Sequence, residues 1–155
     1  MRRGGVRELG SPSLQEHRIL EGAVDQLNRP YVRIDVAGFT DSIIAFIDTG
    51  FNGTLIVDEV QADRMGIAVH RGQRLDVRLA SQKEESFYFG RGKFSWFHEI
   101  REITAFILIG SGEQRSEGLK GKENEEVLIG TELLLDCRLE VDFVVRKVRI
   151  TKSDI

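Results

Sequence analysis

The sequence predicts a mainly β fold with two short helices, on three observations. Val32, Ile34 and Val36 alternate with Arg33 and Asp35, and Leu75, Val77 and Leu79 alternate with Arg74, Asp76 and Arg78. That period of two marks half-buried strands. The runs Ile43-Ile44-Ala45-Phe46-Ile47 and Val127-Leu128-Ile129 are apolar throughout, as short buried strands are. Each of these two runs leads into a glycine-containing loop, and each is followed by a short helical pattern.

The elements follow in order. Residues 1–19 mix Arg, Glu, Gly and Ser with Pro12 and have no periodicity, so they read as a disordered tail. The domain is expected over 20–152, with 153–155 a short C-terminal end. A strand begins at Tyr31, Gly38-Phe39-Thr40-Asp41 turns the chain, and Ser42 to Ile47 returns. Thr54 to Val57 reads as a buried strand. Asp58 is then a good N-cap, with Gln61 at the capping-box position. Gly66 stands where a left-handed C-terminal cap belongs, followed by Ile67. Leu75 to Leu79 and Phe87 to Phe89 form a hairpin around the polar turn Ser81 to Glu85, ending toward Gly90 and Gly92. Strands at Phe94 to His98 and Ile100 to Ile109 come next. Gly110 to Glu126 is charged and glycine-rich, and is expected to be a flexible surface loop. Val127 to Ile129, a helix from Thr131 to Cys137, and a hairpin of Leu139 to Phe143 with Val144 to Thr151 close the chain.

Composition narrows the function. The 155 residues suffice for one hydrophobic core, with 41% hydrophobic and 30% charged residues, as in ordinary globular proteins. A formal net charge of -3 gives no reason to expect nucleic acid or an anionic membrane as partner. One cysteine, Cys137, excludes an internal disulfide and a multi-cysteine zinc site. His17, His70 and His98 offer no metal-ligand spacing, so neither metal nor cofactor is expected. No apolar run approaches the roughly 20 residues that span a bilayer. Met1-Arg2-Arg3 precedes no apolar secretory segment, and a cytoplasmic location is the expectation. Trp96 reads as a packing residue. Cys137, on its short apolar helix, reads as a small buried hydrophobe, since no histidine lies in a recognisable partner motif.

Asp48 is the candidate for chemistry. A buried strand delivers this one carboxylate into a glycine-rich turn, Asp48-Thr49-Gly50-Phe51-Asn52-Gly53, and a charge in such a place is expensive. The surrounding pieces are Arg29-Pro30-Tyr31-Val32, Phe46-Ile47-Asp48-Thr49-Gly50, Arg64-Met65-Gly66-Ile67, Phe94-Ser95-Trp96 and Leu128-Ile129-Gly130-Thr131-Glu132-Leu133-Leu134. In this order and spacing the chain resembles the retropepsin-like aspartic proteases, in particular their small single-lobed bacterial members. The resemblance covers roughly Gly22 to Ile150.

The resemblance implies a closed or partly open β-barrel with a flap hairpin and a dimeric active site. It implies peptide-bond hydrolysis in extended or unfolded polypeptide. Without metal or covalent nucleophile, that reaction needs an activated water and a proton donor, and two adjacent carboxylates supply both. The chain has one Asp-Thr-Gly and no second Asp-Ser/Thr-Gly, so a homodimer would have to bring the second Asp48. Thr49 would bond across the two-fold axis, and Gly50 would let the backbones approach. Gly130 would pack beneath the Asp48 loop over a floor of Leu128 and Ile129. Ala80, Ser81, Gln82, Lys83 and Glu84 would be the flap tip, here polar and glycine-free where family flaps often carry glycine. The alternatives are the same fold kept as a dimerisation or peptide-binding module, and an unrelated small β-barrel binding domain. The latter leaves the Gly130 element unexplained.

Overall fold

A computed structural model describes residues 18–35, 42–78, 82, 84–109 and 127–153. The strands are β1 (Ile19–Val24), β2 (Pro30–Asp35), β3 (Ser42–Ile47), β4 (Leu55–Asp58), β5 (Ala68–Arg78), β6 (Glu84–Trp96), β7 (Glu99–Leu108), β8 (Val127–Ile129), β9 (Cys137–Asp142) and β10 (Lys147–Lys152). One helix, α1 (Glu59–Arg64), follows β4, and a single 3-10 turn, Thr131–Leu134, follows β8. The ten strands form one sheet in the order β5-β6-β7-β4-β8-β3-β2-β1-β10-β9. It has two ends, so the closed form of the expected barrel is not what the strands make: among the described residues no pairing joins β5 to β9.

The apolar pattern explains which strands are central. Val32 and Ile34 of β2 point inward while Arg33 and Asp35 face out. Leu55 and Val57 of β4, Ala105 and Ile107 of β7, and Val127 and Ile129 of β8 are completely buried. Each such Val, Leu or Ile side chain removed from water stabilises the fold by about 1.5–3 kcal/mol. Phe94 and Trp96 fill the same core at 5.9 Å between ring centroids, which makes Trp96 a packing residue.

Helix α1 starts and stops where its sequence says. The Asp58 carboxylate accepts from Gln61 N at 2.7 Å, satisfying a backbone donor of the first turn. At the other end Gly66 has φ +66°, with Gly66 N donating to Asp63 O and Ile67 N to Ala62 O at 2.8 Å. This paired closure needs a left-handed residue, and Ile67 is buried against the core. A Cβ at Gly66 would meet nothing within 4 Å, so Gly66→Ala carries backbone strain alone. It is expected to lower stability by about 1 kcal/mol in urea unfolding.

Several expectations need correction. β1 is a full strand pairing with β2 and β10; its mixed sequence, Ile19-Leu20-Glu21-Gly22-Ala23-Val24, gave little alternation. It begins at Ile19, at the expected start of the structured domain, and residues 1–17 lie outside the described residues. β5 begins at Ala68 rather than near Leu75, with a register shift between His70 and Arg74 that breaks the alternation. β6 runs unbroken through Gly90 and Gly92. These glycines make no turn; a Cβ on Gly90 would lie 2.6 Å from Ile67 Cγ2, and one on Gly92 2.6 Å from Ile67 Cγ1. The expected helix to Cys137 is only the 3-10 turn. The final hairpin turns over Phe143 to Arg146, so Phe143, Val144 and Val145 belong to its tip and not to strands. The Gly38–Asp41 turn and the loop 110–126 lie outside the described residues.

Cys137 therefore opens β9, opposite Lys152, and is half-buried. Burial, with the negative charge of Asp136 beside it, pushes the thiol from 9.0 up to about 11. Because the raised value favours the neutral thiol, this contribution to stability is intact below pH 9 and fades as pH rises toward 11. Two units mean about a hundredfold less thiolate at neutral pH. Alkylation by iodoacetamide at pH 8, followed by mass spectrometry, is expected to be about a hundredfold slower in the native than in the urea-unfolded protein.

Candidate active site

The site grows from a crossing of strands. β8 lies between β3 and β4, parallel to the first and antiparallel to the second. β3 and β4 are consecutive in sequence, so the seven residues Asp48 to Thr54 must arch over the end of β8, where Gly130 stands. Asp48 N donates to Ile129 O at 2.9 Å, extending the β3–β8 ladder to the carboxylate-bearing residue itself.

Hydrogen bonds then fasten the arch to the chain that emerges from beneath it. Gly130 N donates to Thr54 O at 2.8 Å, Thr131 N to Phe51 O at 2.8 Å, and Glu132 N to Gly53 O at 3.2 Å. The Thr131 hydroxyl also reaches Phe51 O, and the Thr54 hydroxyl donates to Thr104 O on β7 at 2.5 Å. A Cβ on Gly130 would lie 2.5 Å from Phe51 Cδ1 and 2.8 Å from Gly53 C, so only glycine lets the two segments approach this closely. Ile129 is fully buried and Leu128 half-buried on the strand that ends at Gly130.

Within the arch, the Asp48 carboxylate accepts from Gly50 N at 3.0 Å, and Phe51 N donates back to Asp48 O. Gly50 N is the one donor to that carboxylate among the described residues. Asp48 is half-exposed, and Thr49 and Gly50 are exposed beside it. A Cβ on Gly50 would lie 3.2 Å from Asp48 Oδ1, so the missing side chain also gives the carboxylate room. The result is an acceptor held at a fixed place and open to solvent.

Sequence reasoning passed over Phe51 and the aromatic group it joins. Its ring stands edge-on to Phe106 at 5.3 Å, and Phe106 also meets Phe87 and Phe89 of β6. This group props the arch against β6 and β7. Four phenylalanines scattered from 51 to 106 carry no local signal that they meet; only the pairing of β6 with β7, which sets Phe89 opposite Phe106, brings them together. The hairpin of β5 and β6 is present, with Leu75 opposite Phe87 and Arg78 opposite Glu84. Of its tip, Gln82 has φ +68° and Glu84 opens β6, while Ala80, Ser81 and Lys83 lie outside the described residues.

No protein-family model matches the chain, and no curated protein sequence matches it. Among solved structures it is similar to a retropepsin-like aspartic protease from Rickettsia conorii, with 12% sequence identity and a TM-score of 0.55. The match covers 86% of this chain and 90% of that one. With one strand inserted between the two that carry an Asp-Thr-Gly arch, the chain has the retropepsin-like aspartic protease fold.

Proposed function

We propose that the protein is a homodimeric aspartic endopeptidase acting on extended or unfolded polypeptide. The observation that carries this is the Asp48 arch: a half-exposed carboxylate fixed by Gly50 N and by the crossing over Gly130. Rigid placement of a charged acceptor is what acid–base chemistry requires.

Two copies related by a two-fold axis would set their Asp48 carboxylates together, one charged and one protonated. The charged one takes a proton from water as that water attacks the peptide carbonyl, and the protonated one donates to the carbonyl oxygen. Collapse of the tetrahedral intermediate, with a proton passed to the leaving nitrogen, breaks the C–N bond. Thr49, exposed beside Asp48, would hydrogen-bond across the axis. The β5–β6 hairpin would lay its backbone along the substrate, as in strand addition.

Incubation with a denatured reporter protein across acidic to neutral pH tests this directly. Cleavage by the wild type and none by Asp48→Asn is the expected result. Equal cleavage by both would remove Asp48 from the chemistry. No cleavage by either, beside a stable dimer, would leave the fold as a peptide-binding or dimerisation module.

A further inference from the structure

The β5–β6 hairpin, which the proposed reaction lays along the substrate, is interrupted at one place. His70 stands opposite Phe89 and Arg74 opposite Tyr88, so Arg71, Gly72 and Gln73 of β5 bulge out against no residue of β6. A Cβ on Gly72 would meet nothing within 4 Å, so the bulge has open space around it. Bulges bend the strand that carries them and disrupt its ladder locally. On the tip side of the bulge, support from the sheet thins out. β7 pairs with β6 only as far as Phe87, and Ile109 N reaches Ser86 O, while Glu84 and Glu85 pair with β5. β5 is the last strand of the sheet, so residues 74–78 and 84–88 make a two-stranded arm.

The arm is stapled across its width. Asp76 stands opposite Ser86, whose hydroxyl donates to the Asp76 carboxylate at 2.5 Å. Arg74 donates to both, from Nε to Asp76 at 3.1 Å and from Nη2 to Ser86 Oγ at 2.8 Å. At the root, one side chain leaves the bulge for the body of the protein. Arg71 Nη1 donates to Glu59 Oε1 at 3.1 Å, in the first turn of α1, and its guanidinium lies over the Tyr88 ring at 5.5 Å. Glu59 follows β4, the strand into which the Asp48 arch descends, so this contact ties the arm to the support of the site.

Alternation fixes the side from which Arg71 acts. Phe87 and Phe89 both meet Phe106, which meets Phe51 of the arch, so Tyr88 between them faces the other way. Ile67, just beyond α1, lies over Gly90 and Gly92 on that same far face. We propose, on the basis of the protease reading above, that Arg71 is a positioning residue. Its clasp on Glu59 and Tyr88 holds the hairpin back from Asp48, and closure over a substrate requires the clasp to yield. The Arg71 side chain is 62% exposed and that of Glu59 44%, so salt screens the pair. An exposed pair of this kind biases an equilibrium by up to about fivefold. That suits a hairpin which must open and close with each substrate.

Spin labels at Glu84→Cys on the arm and Asn52→Cys on the arch, in a Cys137→Ser background diluted with unlabelled chain, read the arm without any need for activity. Arg71→Ala should shift the population toward shorter distances. Sodium chloride at about 0.5 M should do the same to the wild type and nothing further to Arg71→Ala. With a reporter peptide of zero net charge, Arg71→Ala should lower KM by about threefold to fivefold, because more of the protein is already closed. Arg71→Lys, which keeps the charge opposite Glu59, should restore most of the wild-type KM. Unchanged distances in Arg71→Ala, or an equal salt response in both proteins, overturn the clasp and leave the proposed protease standing. A KM that rises in Arg71→Ala also overturns it, since Arg71 would then draw the hairpin toward the site. Distances that shift as expected in a chain that cleaves nothing uphold the clasp and overturn the protease.

Discussion

Asp48→Asn is expected to lower cleavage of an unfolded reporter at least about a thousandfold while leaving the fold intact. Asparagine matches aspartate in shape, and its amide oxygen can still accept from Gly50 N, so the arch should survive. What it loses is the capacity to take a proton from water. Mixing sharpens the result. In an equimolar mixture of wild-type and Asp48→Asn chains, random pairing leaves about a quarter of the dimers with two Asp48 carboxylates. The rate should fall to about 25% of an all-wild-type sample at the same total concentration. A fall to only half would mean that each chain works alone, and the shared site would be wrong.

Gly130→Ala should damage both the fold and the site. The new carbon would press on Gly53 O and lie 2.5 Å from Phe51 Cδ1. Gly53 O is not free to swing aside, because it accepts from Glu132 N. Relief requires the arch to lift, which breaks Gly130 N to Thr54 O and Thr131 N to Phe51 O. Overpacking with those losses amounts to about 3 kcal/mol or more. Urea unfolding measures it, and a loss under about 1 kcal/mol would show that the arch is not locked to Gly130. Activity should fall with it even where the variant stays folded, since Asp48 rides on the same arch.

The strands that sequence revealed are those whose apolar pattern is local. β2 buries its side chains in the alternating order the sequence displays, β4 and β8 are short apolar runs, and Asp58 and Gly66 mark the ends of α1 through backbone rules that span a few residues; in β3 the uniformly apolar run hides that Ile44 is exposed. The Asp48 and Gly130 elements were legible for the same reason. What stayed hidden depends on distant partners. β1 is a strand because β10 and β2 flank it, and the bulge in β5 is set by its register on β6. Gly90 and Gly92 look like the break between two strands until Ile67 is seen against them. Cys137 looks helical until Lys152 pairs with it.

The insertion of β8 between β3 and β4 also governs when the site can exist during synthesis. When Asp48 leaves the ribosome, the strand that must support it is still some eighty residues away. Until Val127 to Gly130 have emerged and slipped between two strands already joined by the arch, Asp48 sits in a slack loop. Such long-range closure is slow compared with hairpin formation. A nascent or truncated chain ending before that point would carry the carboxylate without its geometry, so hydrolytic capacity would be withheld from unfinished polypeptide by topology alone.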